Sequence, residues 1–401
     1  MEERVSRSRV IAAALVISLV VSGCGTDDPL TRGSAETAAG AVPKVAIDAA
    51  DPRGDGLGQC AKVAIAYAGT INGENAALGQ NIFYGVDLAV QLHNRANPGC
   101  QVELKRYDTE GKAEKAPGVV NEIVGEKAVL GVVGPSFSGE AKAVGNLFDQ
   151  AGLVQITPSA TNSSLTTYGW KTFFRGLGSD AAQAPAAAKF LTGMLKAAKV
   201  CVVADDTPFG VDLGKSVTQA LAGTSSCTDR VKTKQTDFTA VVTKMTAEKP
   251  DAIFYAGYYP EAGPLAQQLD AAGVTAKFVG PDGVKNDEFI RAAGKAAANA
   301  YFTCPCVPED NFRDFTVAYR SMEGHAPGTY SAEAYDAATI LLKGIDKGIA
   351  DRAGLLDFVR TYSGQGLTKR FRWDKNGEPE EAPVWSYRVE NGKIVTNVQI
   401  S

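Results

Sequence analysis

The chain has 401 residues, of which 45% are hydrophobic and 21% are charged, and its formal net charge is −4. This composition is that of an ordinary globular protein, and the length indicates two or three domains. The small negative charge and the lack of a long basic run argue against a nucleic-acid surface, which needs clustered Lys and Arg.

The N-terminus has the pattern of a targeting segment. Arg4, Arg7 and Arg9 precede an apolar run at residues 10–21, which is too short to span a bilayer core of about 30 Å as a helix. The run ends in Val21-Ser22-Gly23-Cys24, and a Cys directly after Ser-Gly resembles a bacterial lipobox. The alternative is an ordinary signal peptide that happens to precede a cysteine.

The lipobox pattern implies that Cys24 becomes the lipidated first residue of the mature protein. We therefore expect a lipoprotein signal peptide at residues 1–23 and an anchor on the outer face of the cell membrane. The following residues are rich in Gly, Ala, Thr, Asp and Pro and carry almost no large apolar side chain. They predict a disordered tether over residues 24–58.

Apolar strands and helices then alternate at a regular spacing. Strands are predicted at Lys62–Ala68, Val102–Tyr107, Ala128–Val133 and Leu153–Thr157. The intervening helices are predicted at Leu78–His93, Lys112–Glu126 and Gly139–Gln150. This alternation is typical of βαβ units that form a parallel sheet.

The alternation repeats in a second block. Its strands are predicted at Lys199–Ala204, Asp229–Lys234, Asp251–Ala256 and Lys277–Val279. Its helices are predicted at Asp180–Leu195, Gly210–Leu221, Phe238–Glu248 and Glu261–Ala272. Two such series predict two doubly wound lobes. The remainder departs from the pattern, with helices near Asn311–Met322 and Ser331–Lys347 and β-like runs at Lys369–Trp373 and Val384–Ile400.

Six cysteines remain if Cys24 is lipidated, an even number that suits an oxidising compartment. Cys60 and Cys100 precede the first two predicted strands, so a bond between them is plausible. Cys201 lies in a predicted strand and Cys227 close to the next one. Sequence alone does not fix the connectivity of six cysteines.

Cys304 and Cys306 are a separate case, because the Cα atoms of such close neighbours approach the geometric limit of a disulfide. A bond between them needs a turn at Pro305, and otherwise they need other partners. Zinc binding by Cys304 and Cys306 is the alternative to a disulfide, but the sequence gives it little support. His93 and His325 are the only histidines, and no second cysteine pair has the spacing of a zinc finger. We predict no metal and no cofactor.

Two hydroxyl-rich loops follow neighbouring predicted strands. Residues 134–139 (GPSFSG) follow the third strand, and residues 157–164 (TPSATNSS) follow the fourth. In an open parallel sheet, ligands bind at the carboxyl ends of strands, where helix N-termini present unpaired N–H groups. Loops of this kind without Lys or Arg suit a small anion such as a carboxylate. The alternative is that these Ser and Thr residues only cap helices.

The second block has different groups at the equivalent places. Residues 205–209 (DDTPF), 257–261 (GYYPE) and 280–283 (GPDG) supply aromatic side chains and carboxylates. Hydroxyl groups on one wall and a carboxylate on the other suit a zwitterion. Asp282 taken alone is also an ordinary turn residue before Gly283.

Short motifs distributed from about Cys60 to the C-terminus carry a family resemblance through their order and spacing. They are Gly69–Gly73, Tyr107–Thr109, Gly134–Ser138, Ile156–Thr161, Phe174–Arg175, Phe209–Gly210, Asp237–Phe238, Tyr255–Glu261 and Gly280–Gly283. With them the chain resembles the leucine/isoleucine/valine-binding proteins, which are type I periplasmic binding proteins of branched-chain amino acid ABC importers.

The resemblance implies an α/β fold of two doubly wound parallel-sheet lobes joined by a three-crossover hinge. It places the crossovers near Ser179, Pro305 and Trp385. Lobe 1 would comprise residues 59–179 and 306–384, and lobe 2 would comprise residues 180–305 and 385–401.

The resemblance also implies roles for individual residues. Ser138, Ser159 and Thr161 match groups that hold the ligand carboxylate, and the loop with Thr161 also helps to hold the amino group. Asp282 stands where the family has a Glu that pairs with the ammonium group, and it is shorter by one methylene. Tyr258 matches the family's Tyr in the Gly-Tyr-x-Pro-Glu run.

Leu78 and Phe209 stand where the family often has tyrosines in the side-chain pocket, so the resemblance does not imply selectivity for leucine. The implied mechanism is hinge closure around an amino acid, read by a separate ABC permease and ATPase. The alternatives are a ligand that is an amide, urea or a small organic acid, or a role as a ligand sensor.

An enzyme is not expected, although α/β folds host many catalysts. Ser138 lies in Gly-Pro-Ser-Phe-Ser-Gly and not in a G-x-S-x-G elbow. Residues 210–216 (GVDLGKS) have three residues between the glycines where a phosphate-binding loop has four.

Overall fold

A computed structural model of the chain describes residues 51–401. The predicted signal peptide, Cys24 and the tether up to residue 50 lie outside the described residues. Among residues 51–401, no helix combines the length and the apolar character needed to cross a membrane.

The last part of the expected tether, residues 51–58, requires a correction, because these residues form turns against the folded body. The backbone N–H of Gly58 donates to Oδ1 of Asn97 at 2.9 Å. Nδ2 of Asn97 donates to the carbonyl of Arg53 at 2.9 Å. The composition predicts disorder here because it does not reveal a partner such as Asn97, which lies about forty residues further along the chain.

The first sheet has five parallel strands in the order β2-β1-β3-β4-β5. They are β1 (Val63–Gly69), β2 (Val102–Asp108), β3 (Val129–Val133), β4 (Val154–Thr157) and β5 (Phe173–Arg175). All residues of β1, β3, β4 and β5 are buried. Strands with such continuous burial have both faces covered by other elements, as in parallel sheets generally.

The second sheet has seven strands in the order β14-β13-β10-β9-β8-β6-β7. They are β6 (Val200–Ala204), β7 (Ser225–Arg230), β8 (Ala252–Ala256), β9 (Lys277–Gly280), β10 (Ala300–Cys304), β13 (Trp385–Glu390) and β14 (Lys393–Gln399). Strands β6 to β10 pair in parallel, and β13 pairs antiparallel with β10 and β14. A separate hairpin consists of β11 (Gly364–Gln365) and β12 (Arg370–Phe371).

Eleven α-helices connect these strands within the described residues. They are α1 (Ala76–Ala96), α2 (Ala116–Gly125), α3 (Ser138–Gln150), α4 (Asp180–Lys189), α5 (Pro208–Leu221), α6 (Thr239–Glu248), α7 (Tyr259–Ala271), α8 (Asp287–Ala293), α9 (Arg313–Glu323), α10 (Ser331–Asp346) and α11 (Arg352–Arg360). Helix α10 packs along α1 and reaches β3 and β4, so it belongs to the body of the first sheet.

The chain passes between the two sheets three times. It leaves the first sheet after β5, returns after β10 to form α10 against α1, and enters the second sheet again at β13. The predicted fold class, two doubly wound parallel-sheet lobes with three crossovers, is confirmed. The residue limits of the lobes stay a prediction.

Some elements differ from the predicted ones. Strand β7 begins at Ser225, four residues before the predicted strand, because it is an edge strand of alternating exposure without an apolar run. Helix α2 begins at Ala116 instead of Lys112, since residues 109–115 form turns. Strands β5 and β10 and helices α8 and α11 were not predicted; β5, for example, has only three residues and shows no pattern.

The six described cysteines form three disulfides: Cys60–Cys100, Cys201–Cys227 and Cys304–Cys306. The first pair joins the segments before β1 and β2. The second joins residues that face each other in the register of β6 and β7. The third forms directly between near neighbours, whose Cα atoms lie 5.0 Å apart on either side of Pro305.

Thiol counting tests this connectivity. The denatured, unreduced mature protein, with Cys24 lipidated or replaced by Ala, should contain no reactive thiol, because all six cysteines are paired. Reduction should release six thiols, which serves as the internal control. Two thiols before reduction would show that one pair is open, and peptide mapping would identify it.

Candidate functional site

The carboxyl ends of the strands of both sheets meet across one buried cleft. Asn162, which follows β4 of the first sheet, donates from Nδ2 to the carbonyl of Pro208 at the start of α5, at 2.7 Å. The backbone N–H of Ser163 donates to Oδ2 of Asp212 in the same helix at 3.0 Å. These bonds join the loop after β4 of the first sheet to helix α5, which follows β6 of the second sheet, so the cleft is closed in this structure.

The first wall of the cleft carries the three predicted hydroxyl residues. Ser138 is the first residue of α3, and its hydroxyl accepts a hydrogen bond from the N–H of Asn162 at 3.2 Å. The Ser159 hydroxyl donates to the carbonyl of Ser136. Thr161 is completely buried, and its hydroxyl has no hydrogen-bond partner within residues 51–401. The structure therefore brings these three residues to one edge of the first sheet.

The predicted acid of the second wall, Asp282, lies in the loop after β9 and is only 1% exposed. Its Oδ2 accepts a hydrogen bond from the Tyr330 hydroxyl at 2.6 Å. Its Oδ1 has no partner in the described part of the chain. Burial raises the pKa of Asp282 to about 6, and the hydrogen bond from the Tyr330 hydroxyl opposes the rise. One carboxylate oxygen of Asp282 therefore has no partner among the described residues.

A second acid, Asp180, was not predicted as a site residue. It is the first residue of α4, is completely buried, and neither carboxylate oxygen has a partner among the described residues. Burial raises its pKa well above the ordinary value, and the charge of Asp282 raises it further. The nearby Thr161 hydroxyl opposes this rise of the pKa, although it does not reach hydrogen-bonding geometry with either carboxylate oxygen. An acid in the first turn of a helix is common, so the sequence offered no local signal of this role.

Aromatic rings close the cleft beside the polar groups. The ring centroid of Tyr258 lies 5.1 Å from that of Phe137 and 5.2 Å from that of Phe209. Phe137 follows β3 of the first sheet, whereas Tyr258 and Phe209 belong to the second. Leu78 is fully buried in the first turn of α1, and its role in the ligand pocket stays a prediction.

One cluster within residues 51–401 has the composition of a metal site, and it comprises His93, Cys100 and Asp346. Cys100 is bonded to Cys60 and therefore offers no thiolate. The imidazole Nε2 of His93 lies 2.8 Å from Asp346, and Nδ1 lies 3.0 Å from Oδ1 of Asn94. Both ring nitrogens thus have protein partners, and the cluster ties α1 to α10.

Comparisons with known proteins agree with this architecture. The family model described as periplasmic binding protein matches residues 62–393. The Leu/Ile/Val-binding protein of Rhizobium johnstonii is 30% identical over 349 residues, which covers 84% of this chain and 94% of that protein. The leucine-, isoleucine-, valine-, threonine- and alanine-binding protein of Pseudomonas aeruginosa is 29% identical over 345 residues, covering 84% and 92%.

A solved structure is similar over the same region. It is that of the branched-chain amino acid transporter substrate binding protein LivJ from Streptococcus pneumoniae in complex with isoleucine. It superposes with a TM-score of 0.79 at 28% identity and covers 84% of this chain and 99% of that one.

Proposed function

This chain belongs to the periplasmic binding protein family, and from that premise we propose that it captures an amino acid outside the cytoplasm and delivers it to an ABC importer. Its fold is that of the type I members, so the resemblance found in the sequence is confirmed. The family consists of solute-binding proteins, and we propose that the chain catalyses no reaction. Its partners would be a permease and an ATPase.

The observation that carries this proposal is the set of unpaired polar atoms in a closed cleft. Oδ1 of Asp282, both oxygens of Asp180 and the hydroxyl of Thr161 are buried without partners in the described chain. A buried polar group without a partner costs about 1–3 kcal/mol, and more if it is charged. An ammonium group has a positive charge and three donors, which suit three of these four acceptor atoms.

The opposite end of the ligand site suits a carboxylate. Ser138 begins α3, and the first N–H groups of a helix have no partner within the helix. Such a terminus favours an anion. The Ser138 hydroxyl accepts a hydrogen bond from Asn162 and keeps its own proton for an anion, whereas the Ser159 hydroxyl at the same edge of the sheet donates to Ser136. Together the two ends of the cleft complement the zwitterionic part of an amino acid.

The aromatic contacts support an apolar ligand side chain. Phe137 and Phe209 both pack against Tyr258 where the two sheets meet. The relatives from Rhizobium johnstonii and Pseudomonas aeruginosa are described as binding leucine, isoleucine and valine. We propose a branched-chain or similar neutral amino acid, and Leu78 and Phe209 as residues that set its selectivity.

Hinge closure is the proposed mechanism. In the open form, the first wall would hold the carboxylate of the ligand. Tyr258 and Asp282 would contact the ligand only when the cleft closes. The closed form then makes contacts that the open form lacks, and this difference in affinity is what drives closure.

We also propose that Cys24 is lipidated and holds the protein on the outer face of the membrane.

A thermal-shift screen tests the function. Neutral amino acids should raise the melting temperature by mass action, since a ligand at one hundred times its Kd adds about 2.7 kcal/mol. The matching amides and the amines without a carboxylate serve as controls and should have smaller effects. An equal shift with an amino acid and its amide would contradict the carboxylate site. A shift only with urea, simple amides or organic acids would favour that alternative ligand class.

The genomic neighbourhood separates transport from sensing. Adjacent permease and ATPase genes would support delivery to an importer, whereas a solitary gene beside a kinase gene would support a sensor.

A further inference from the structure

A hydrogen bond crosses the cleft between the ligand-facing acid and a tyrosine that the sequence did not single out. The hydroxyl of Tyr330 donates to Oδ2 of Asp282 at 2.6 Å. Tyr330 directly precedes α10, which packs on α1 in the body of the first sheet. Asp282 follows β9 of the second sheet. The two partners therefore separate if the cleft opens.

The backbone holds Tyr330 in an uncommon conformation. Its φ is +75° and its ψ is −5°, in the left-handed region that bulky residues rarely adopt. The turn around it is fixed on both sides. Gly328 N–H donates to Oγ of Ser331 at 3.1 Å, and the Thr329 hydroxyl donates to the carbonyl of Lys285 in the second sheet's loop. An unfavourable conformation that the surroundings maintain is typical of a functional position.

The bond determines which part of Asp282 is left for a ligand. Oδ2 is occupied by Tyr330, whereas Oδ1 has no partner within residues 51–401. The other ionisable groups facing this carboxylate are Asp180 and Tyr258. Among these three neighbours only the Tyr330 hydroxyl donates to Asp282 in a hydrogen bond. It fixes the rotation of the carboxylate and partly balances its charge.

We propose that Tyr330 is a positioning residue that orients Asp282 towards the ligand ammonium group and holds the cleft shut. This assignment rests on the proposed function. Because the two residues lie on opposite sides of the cleft, their bond is made only in the closed form. Its contribution should therefore appear in the rate of ligand release and not in the rate of capture.

Tyr330→Phe removes the hydroxyl and keeps the ring. We expect the Kd of the amino acid identified by thermal shift to rise about 10- to 100-fold, since a hydrogen bond to a charged group has this effect. In stopped-flow measurements, the ligand should dissociate faster from this variant than from the wild type, whereas the association rate should be unchanged. The melting temperature of the ligand-free protein should stay at the wild-type value, since the bond belongs to the closed form.

Two controls separate positioning from a general structural effect. Tyr335→Phe removes another hydroxyl from α10, at a largely buried residue whose ring packs on Phe315, and it should leave the Kd unchanged. In the Asp282→Ala background, Tyr330→Phe should have no additional effect, because a residue that acts through Asp282 loses its role with it.

The outcomes are distinguishable. An unchanged Kd and release rate in Tyr330→Phe, with binding intact in the wild type, would overturn this assignment alone. Additive losses in the double variant, or a lower melting temperature of the ligand-free protein, would also overturn it. If the wild type binds no ligand that carries an ammonium group, the proposed function and this assignment both fail.

Discussion

Asp282→Ala should weaken amino-acid binding by about 2–4 kcal/mol, or roughly 30- to 800-fold in Kd. The enclosed ammonium group would lose its charged partner without gaining water, because Asp282 is only 1% exposed. The Tyr330 hydroxyl would also lose its acceptor. Isothermal titration calorimetry with the amino acid found in the screen measures the loss directly.

Two further variants isolate the charge of Asp282. Asp282→Asn keeps the shape and an acceptor for Tyr330, so its loss of affinity reports the charge alone. Asp287→Ala removes an exposed acid five residues further along the chain and should bind as the wild type does. Equal affinity of Asp282→Ala and the wild type would refute the assignment of the ammonium site.

The pH dependence of binding has a definite sign. Burial raises the pKa of Asp282 to about 6, and the protonated acid cannot pair with an ammonium ion. Wild-type affinity should therefore fall as the pH falls through about 6. Asp180 faces the same space and also has a raised pKa, so Asp282→Asn should show a smaller fall and not a complete loss of pH dependence.

Asp180→Asn should weaken binding by about 1.5–3 kcal/mol, the contribution of a hydrogen bond to a charged group. Asn retains the size of the side chain and one acceptor oxygen but removes the charge that favours an ammonium group. The ligand-free variant should melt no lower than the wild type, because a buried carboxylate without a partner does not stabilise the fold. Calorimetry and thermal denaturation of the same preparation measure both effects.

Asp287→Asn is the matched control for this second acid, since it makes the same exchange at an exposed position. Unchanged affinity in Asp180→Asn would show that Asp180 is not part of the ligand site. Loss of affinity accompanied by a lower melting temperature would point to a structural role instead.

Sequence patterns predicted the loops of the site because buried parallel strands leave a strong signal. The continuous apolar runs of β1, β3 and β8 locate the strand ends, and the loops follow directly from them. Ser138 and Asp282 were assigned to strand ends in this way, and the family resemblance supplied their predicted roles. An edge strand such as β7, which alternates exposed and half-buried residues, has no comparable run and was misplaced.

Pairwise contacts over long separations were not predictable. Tyr330 and Asp282 are 48 residues apart, and nothing near Tyr330 in the sequence indicates its partner. Asp180 has the same local pattern as an exposed acid at a helix start, and only its complete burial distinguishes it. Residues 51–58 were expected to be disordered because their partner, Asn97, contributes nothing to their own composition.

The attachment of residues 51–58 has a mechanical consequence. These residues dock beside Asn97 at the end of α1, next to the segment that leads into β1. This edge of the first sheet carries the amino ends of β1 and β2, whereas the candidate site lies at the carboxyl ends of the strands. If Cys24 is lipidated as proposed, a pull on the chain before residue 51 would reach the body of the first sheet first. Under the proposed hinge closure, the second sheet would then move without carrying this attachment, and the cleft would stay clear of it.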